Sequence, residues 1–76
     1  MNYKPMFKIG QLIVLAENCP YVCSTANKRD LFEIKPEMVG MFLGYAETKL
    51  KFPLAVVLFG DVTVSMAADR LSSYHG

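Results

Sequence analysis

Hydrophobic residues cluster in three runs along the chain, and each run has the composition of a β-strand. The runs cover residues 7–16, 38–45 and 54–59, and they are rich in β-branched, aliphatic and aromatic residues. Polar segments containing Pro, Asn, Asp and Ser separate them, which is the arrangement expected of strands between turns. Three glycines inside the first two runs predict a bend or strong coiling: Gly10, Gly40 and Gly44.

The dipeptide Gly60-Asp61 predicts a β-hairpin. It separates residues 54–59 from residues 62–66, in which apolar and polar side chains alternate. A two-residue connection that starts with glycine is typical of hairpin turns with positive φ. With these two residues as the loop, the sequence predicts three pairs whose side chains share the interior face: Phe59 with Val62, Val57 with Val64, and Ala55 with Met66. Residues 67–71 then predict one helical or 3₁₀ turn.

The remaining segments fix the predicted organisation of the chain. Its 76 residues suffice for one domain. Residues 1–6 form a predicted N-terminal arm, residues 7–73 a small all-β barrel, and residues 74–76 a tail. The polar stretch 17–35 predicts a long loop after strand one, with a short paired piece around residues 31–34. Such a small barrel is filled by its own side chains and leaves no room for a substrate.

Both faces of the predicted strands are apolar, and this is the main indication of function. Strands with one solvated face should alternate between apolar and polar residues. In residues 12–15, 38–43 and 54–58 they do not, and the hydrophobic share of 53% is high for a small domain. Some residues of the second face must therefore lie under the 17–35 loop or against a neighbouring chain, which is either another protein or a second copy in a homo-oligomer. The residues we expect in such an interface are Leu54, Val56 and Leu58, with Ile13 and Leu15 as an alternative face.

Charge makes nucleic acid an unfavoured partner. Eight basic and seven acidic residues are interspersed and give a net charge of +1, whereas nucleic-acid-binding domains carry clustered positive charge. The alternative remains that a basic group binds nucleic acid, with Tyr21 or Tyr45 stacking on bases. Its candidate contacts are Lys28, Arg29, Lys49 and Lys51.

Candidate catalytic, cofactor and metal residues are few. Cys19 and Cys23 could donate to zinc, but a structural site needs four ligands and the single histidine, His75, lies near the end of the chain. Asp61 and Asp69 are explained by a turn and a helix cap. We therefore expect no catalytic residue, no cofactor and no metal. Because no segment is apolar and long enough for a signal peptide or a membrane span, we expect a cytosolic protein with reduced cysteines.

Four segments together resemble SH3-like small β-barrels: residues 7–15 with a Lys8-x-Gly10-Gln11 step, 36–45, 56–64 and 68–71. The resemblance covers roughly residues 7–73 and implies a five-stranded barrel. Similar small proteins occur in tailed bacteriophages, which implies a component of a phage particle or a factor that inhibits one host enzyme, located in the host cytoplasm or in the virion. KOW-type barrels are more basic than this chain. Signalling SH3 domains have a groove of clustered aromatic residues, which this chain lacks, and it contains no tryptophan.

Overall fold

The computed structural model describes residues 7–27, 29–46 and 54–75, and strands dominate these residues. The all-β class is therefore confirmed. In the described part of the chain there are seven strands and one turn of 3₁₀ helix: β1 Leu12–Leu15, β2 Tyr21–Ser24, β3 Leu31–Ile34, β4 Gly40–Ala46, β5 Leu54–Phe59, β6 Val62–Ala67, the 3₁₀ turn Ala68–Arg70, and β7 Leu71–Ser73.

The strands form two open antiparallel sheets, so the prediction of a closed five-stranded barrel is wrong. Five strands make one sheet in the order β6-β5-β4-β1-β7, and β2 and β3 make a separate two-stranded sheet. In the described part of the chain, one bridge pairs the two sheets: Thr25 lies opposite Val64, and the Ala26 N–H donates to the Thr63 carbonyl at 2.8 Å. One bridge brings the hairpin against β6 but does not extend into a ladder that would close the structure.

The β5–β6 hairpin has the predicted register. Phe59 lies opposite Val62, Val57 opposite Val64, and Ala55 opposite Met66. Gly60 has a φ of 65°, which glycine adopts without steric cost and which the short turn requires. The interior face is also confirmed: five of these six residues are buried, and Val62 packs against the core.

The polar segment 17–35 is a hairpin rather than a long loop, and the short paired piece predicted at residues 31–34 is β3. The connection between β2 and β3 is closed by the Thr25 N–H, which donates to the Asp30 carbonyl at 2.9 Å. Cys23 and Ile34 point from this hairpin into the core, and the ring of Phe32 stacks on Phe59 with centroids 6.3 Å apart. The hairpin therefore covers the inner face of the five-stranded sheet.

The bends predicted at glycines have distinct physical causes. At Gly10, with φ 91°, a turn closes through the Gln11 N–H and the Lys8 carbonyl, so β1 starts only at Leu12. In β4 the pairing with β5 shifts between Phe42 and Gly44, which is a β-bulge. Gly40 packs so tightly that a Cβ atom there would lie 2.7 Å from the Phe59 ring.

The C-terminal segment confirms the helical turn and adds a strand. Ala68–Arg70 forms the 3₁₀ turn, and the following residues pair with β1 as β7. Of the predicted tail, Tyr74 and His75 are exposed. The predicted arm 1–6 lies outside the described residues. Among the residues that are described, no helix is long and apolar enough to cross a membrane.

Candidate interaction surface

The face of the five-stranded sheet that points away from β2 and β3 is apolar across three neighbouring strands. Paired residues of an antiparallel sheet project to the same side, so the strand pairings define which residues share this face. We call it the outer face, and its apolar residues are Leu12 and Val14 of β1, Met41 and Leu43 of β4, and Leu54, Val56 and Leu58 of β5.

One cross-strand row runs through the middle of the outer face. Leu12 lies opposite Met41, Met41 opposite Leu58, and Leu58 opposite Thr63. The row therefore crosses four strands and ends on a hydroxyl group at β6. The bulge in β4 adds Leu43, because a bulge sets two residues of one strand against one residue of its neighbour.

Side-chain exposure divides the outer face into two parts. Leu12, Met41 and Leu43 are exposed, at 44%, 39% and 37% of their maximal area. The β5 residues predicted from the sequence, Leu54, Val56 and Leu58, are half-buried. The structure thus places the three predicted β5 residues on the outer face, and it places more exposed residues beside them.

The alternative face proposed for the first strand is wrong. Ile13 is fully buried and Leu15 is 8% exposed, and both belong to the core. Ile13 lies opposite Gly40, whose missing side chain makes room for packing on the inner side of the sheet. The outward residues of β1 are instead Leu12 and Val14. Alternation alone separates these two sets of residues, and only the partner strand shows which set faces the core.

The outer face carries no charge. Among the described residues of the five strands, the other side chains on this side come from small or hydroxyl residues: Gly44, Ala46, Thr63, Ser65, Ala67 and Ser72. The described charged residues lie in turns, in the 3₁₀ turn and on the β2–β3 hairpin. A solvated sheet face normally carries polar and charged side chains, so this composition distinguishes the outer face from ordinary surface.

The described residues of segment 17–35 do not cover the outer face. The β2–β3 hairpin packs its buried side chains into the same core cluster as Val57 and Val64, which point to the inner side. The sequence left open whether this segment or another protein covers the second apolar face. The described part of the segment lies on the opposite side of the sheet.

Of the four basic residues considered for nucleic-acid binding, only Arg29 can be placed. It is exposed in the connection between β2 and β3, where its backbone N–H donates to Asn27 Oδ1 at 3.0 Å. Lys28, Lys49 and Lys51 lie outside the described residues. The structure therefore does not bring these four residues together as a described site.

The two cysteines have different environments. Cys19 is exposed beside a small crevice lined by Leu15, Tyr21 and Arg70, and its thiol donates to Glu17 Oε2 at 3.7 Å. Cys23 lies on β2 with its side chain buried in the core, and desolvation by that burial raises the pKa of its thiol above the ordinary value. Burial thus keeps Cys23 protonated and unreactive.

The other ionisable side chains of the described residues are dispersed. Arg70 and Glu17 form an ion pair at 3.6 Å, but both side chains are more than half exposed, so the pair contributes little to stability. In the part of the chain that the structure describes, no three His, Cys, Asp or Glu side chains lie close enough to hold a metal ion. Asp61 lies in the hairpin turn, as predicted. The prediction that Asp69 caps the terminal turn is wrong, because the N-cap is Ala67, which makes no side-chain cap hydrogen bond, and Asp69 lies within the 3₁₀ turn.

Comparisons with known proteins add no relative to this description. No family model matches the chain, and searches among curated proteins and among solved structures find no match either.

Proposed function

We propose that the protein is a non-catalytic interaction module that docks onto another protein through the outer face. The observation that carries the proposal is the uncharged apolar row Leu12, Met41 and Leu58, which spans adjacent strands and is exposed at its β1 and β4 positions. Contiguous exposed apolar surface of this kind marks interaction sites, whereas singly scattered apolar residues do not.

The partner's surface should be apolar and flat where it meets the sheet. Burying an uncharged face against a charged one would desolvate charges without pairing them, which is unfavourable. The exposed residues Leu12, Met41 and Leu43 would supply the energetic centre of the contact, and Thr63, Ser65 and Ser72 its polar rim. The resemblance to small phage proteins makes a phage particle, or a host enzyme inhibited by the protein, the assemblies to be examined first.

Capture experiments with matched variants test this proposal. Three tagged proteins would be cross-linked to their partners in source cells: the wild-type chain, the Met41→Glu variant and the Leu31→Glu variant. Mass spectrometry would then identify the partners. Leu31 is the control because it is 75% exposed on β3, away from the outer face. A partner recovered with wild type and Leu31→Glu would then be purified and titrated.

We expect Met41→Glu to weaken binding of that purified partner at least tenfold, because the variant buries an unpaired carboxylate in the contact. Leu31→Glu should bind like wild type. Equal affinity of all three proteins would contradict docking through the outer face. The alternative function is nucleic-acid binding through Lys28, Arg29, Lys49 and Lys51, and it predicts that the chain binds nucleic acid with an affinity that falls steeply as salt is added.

A further inference from the structure

We infer that the edge of β3 that faces away from β2 binds an extended segment of another polypeptide by antiparallel strand addition, with a basic residue of that segment opposite Glu33. This edge, which we call the β3 edge, belongs to the β2–β3 hairpin and is separate from the outer face. Three features support strand addition here: the direction of the main-chain groups, the lack of a neighbouring strand among the described residues, and the side chains along the edge.

The hydrogen bonds of the hairpin determine which main-chain groups of β3 point outward. The Thr25 N–H donates to the Asp30 carbonyl at 2.9 Å, so these two residues form a hydrogen-bonded pair. Hydrogen-bonded and non-hydrogen-bonded pairs alternate in an antiparallel ladder, and the main chain of Phe32 is therefore directed at β2. The N–H and C=O groups of Leu31 and Glu33 point the other way. The β3 edge thus presents two donors and two acceptors, the pattern that another extended chain complements.

The other sheet edges of the described chain are less available. The β6 edge is flanked by the hairpin through the bridge between Thr25 and Val64. β7 has three residues, and its Leu71 N–H already donates to the Ala68 carbonyl. Among the described residues, no strand pairs with β3 on the side away from β2. β3 also contains neither a proline nor a bulge, two devices that protect exposed edges from pairing.

Side chains along the β3 edge define the chemistry of the occupant. Leu31 is 75% exposed, Glu33 is also exposed, and both project away from the core. Opposite charges across an antiparallel pair are stabilising and like charges are destabilising. Glu33 therefore selects against acidic segments and favours lysine or arginine opposite it. An aliphatic residue opposite Leu31 completes the pattern.

The β3 edge is short, and its length sets the expected affinity. At Lys35 the main chain turns, because its N–H donates to Met38 Sδ at 3.3 Å and its carbonyl accepts the Met38 N–H at 3.0 Å. The groups of Leu31 and Glu33 remain for an added strand, and each hydrogen bond contributes modestly in water. We expect a dissociation constant of roughly 0.1–1 mM for a short peptide.

A capped peptide of sequence TTKVVTT is the probe. Antiparallel pairing sets its lysine opposite Glu33 and its second valine opposite Leu31. The peptide would be titrated to millimolar concentration into the isotope-labelled chain, with amide exchange followed by nuclear magnetic resonance. At saturation we expect exchange of the Leu31 and Glu33 amide protons to slow at least tenfold, because both become hydrogen-bonded.

Two N-methylated peptides separate main-chain pairing from side-chain contact. Methylation of the lysine and second-valine amides removes the donors that face β3, and we expect binding to weaken at least tenfold. Methylation of the first-valine amide, which faces away, should leave the affinity unchanged. Equal binding of both methylated peptides would overturn strand addition, as would unchanged exchange of the Leu31 and Glu33 amides at millimolar parent peptide.

Variants of the chain test the same edge from the protein side, with circular dichroism as the check on folding. Leu31→Pro removes an outward N–H and no hydrogen bond of the hairpin, so it should abolish binding while Leu31→Ala retains it. Glu33→Lys should weaken binding of the lysine peptide two- to fivefold and strengthen binding of the matching glutamate peptide. A Glu33→Lys chain that shows no change in preference would contradict the predicted basic residue opposite Glu33.

Met41→Glu separates this edge from the proposed docking surface, because Met41 lies on the outer face. This variant should bind the peptide like wild type, whether or not the outer face docks onto a partner. Loss of peptide binding in Met41→Glu would assign the contact to the outer face and overturn strand addition at β3. Conversely, a failure of the peptide to bind leaves docking through the outer face intact.

Discussion

Gly40 occupies a position at which the core leaves no room for a side chain. A Cβ atom there would lie 2.7 Å from Phe59 Cε1 and 2.8 Å from Val57 Cγ1, and both side chains are buried. We therefore expect Gly40→Ala to destabilise the fold by about 1–3 kcal/mol, the usual cost of overpacking. Urea denaturation followed by circular dichroism would measure the loss.

A double-mutant comparison separates crowding from backbone effects at this residue. In a Phe59→Leu background the ring that crowds Gly40 is gone, so the cost of Gly40→Ala should fall. Gly44→Ala is the control: nothing lies within 4 Å of its Cβ position, and its φ of 141° makes the cost a backbone one. That cost should be the same in both backgrounds. An undiminished penalty at Gly40 would contradict crowding by the Phe59 ring as its cause.

Residue-level alternation predicted which side chains share a face more reliably than it predicted which face is buried. In residues 38–43, alternation sets Phe42 on the side opposite Met41, and the structure buries Phe42 while Val39, Met41 and Leu43 are exposed. For β1 the same alternation gave two apolar sets and no means to choose between them. The choice depends on Gly40 lying opposite Ile13, which is a contact between residues distant in sequence.

At the scale of elements, the β5–β6 turn is specified by the backbone of Gly60. Its φ of 65° is disfavoured for residues with a Cβ, and nothing lies within 4 Å of the position where that atom would be. We expect Gly60→Ala to cost about 1–2 kcal/mol, from backbone strain rather than from a clash. Gly60→Asn should cost less, because asparagine tolerates this region better. Thermal unfolding of both variants would measure the difference, and equal losses would argue against a strained backbone as the cause.

Local signals account for the elements that could be predicted. The β5–β6 register follows from a two-residue turn between two apolar strands, and the 3₁₀ turn from its position after β6. Of the β2–β3 hairpin, the sequence predicted only the paired piece at residues 31–34. β2 was missed because the connection is polar and longer, and because Val22 and Leu31 are exposed while Cys23 and Ile34 are buried. β7 was missed because Leu71–Ser73 has only one apolar residue and becomes a strand by pairing with β1.

At the scale of the whole molecule, the core lies between the five-stranded sheet and the two-stranded β2–β3 hairpin. The hairpin contributes Cys23 and Ile34 to the core. Among the described residues, the Thr25–Val64 bridge is the only strand pairing that links its backbone to the larger sheet. An isolated two-stranded hairpin is at best marginally stable. The hairpin should therefore open at a lower free energy than the sheet unfolds, as local units of small domains often do.

Labelling of the Cys23 thiol measures this opening directly. Burial raises the pKa of Cys23 above its ordinary value, so in the closed state the thiol stays protonated, and alkylation requires exposure first. In a Cys19→Ser variant, we expect native-state alkylation of Cys23 to be at least tenfold faster than global unfolding predicts, which corresponds to a difference of about 1.4 kcal/mol in opening free energy.

Two control measurements set the scale. The exposed Cys19 of a Cys23→Ala variant gives the alkylation rate of an unprotected thiol, and urea denaturation gives the free energy of global unfolding. Raising the pH should accelerate labelling by increasing the thiolate fraction in the open state. A rate no faster than global unfolding allows would mean that the hairpin and the sheet unfold together, and that packing of Cys23, Phe32 and Ile34 couples them as strongly as a continuous ladder would.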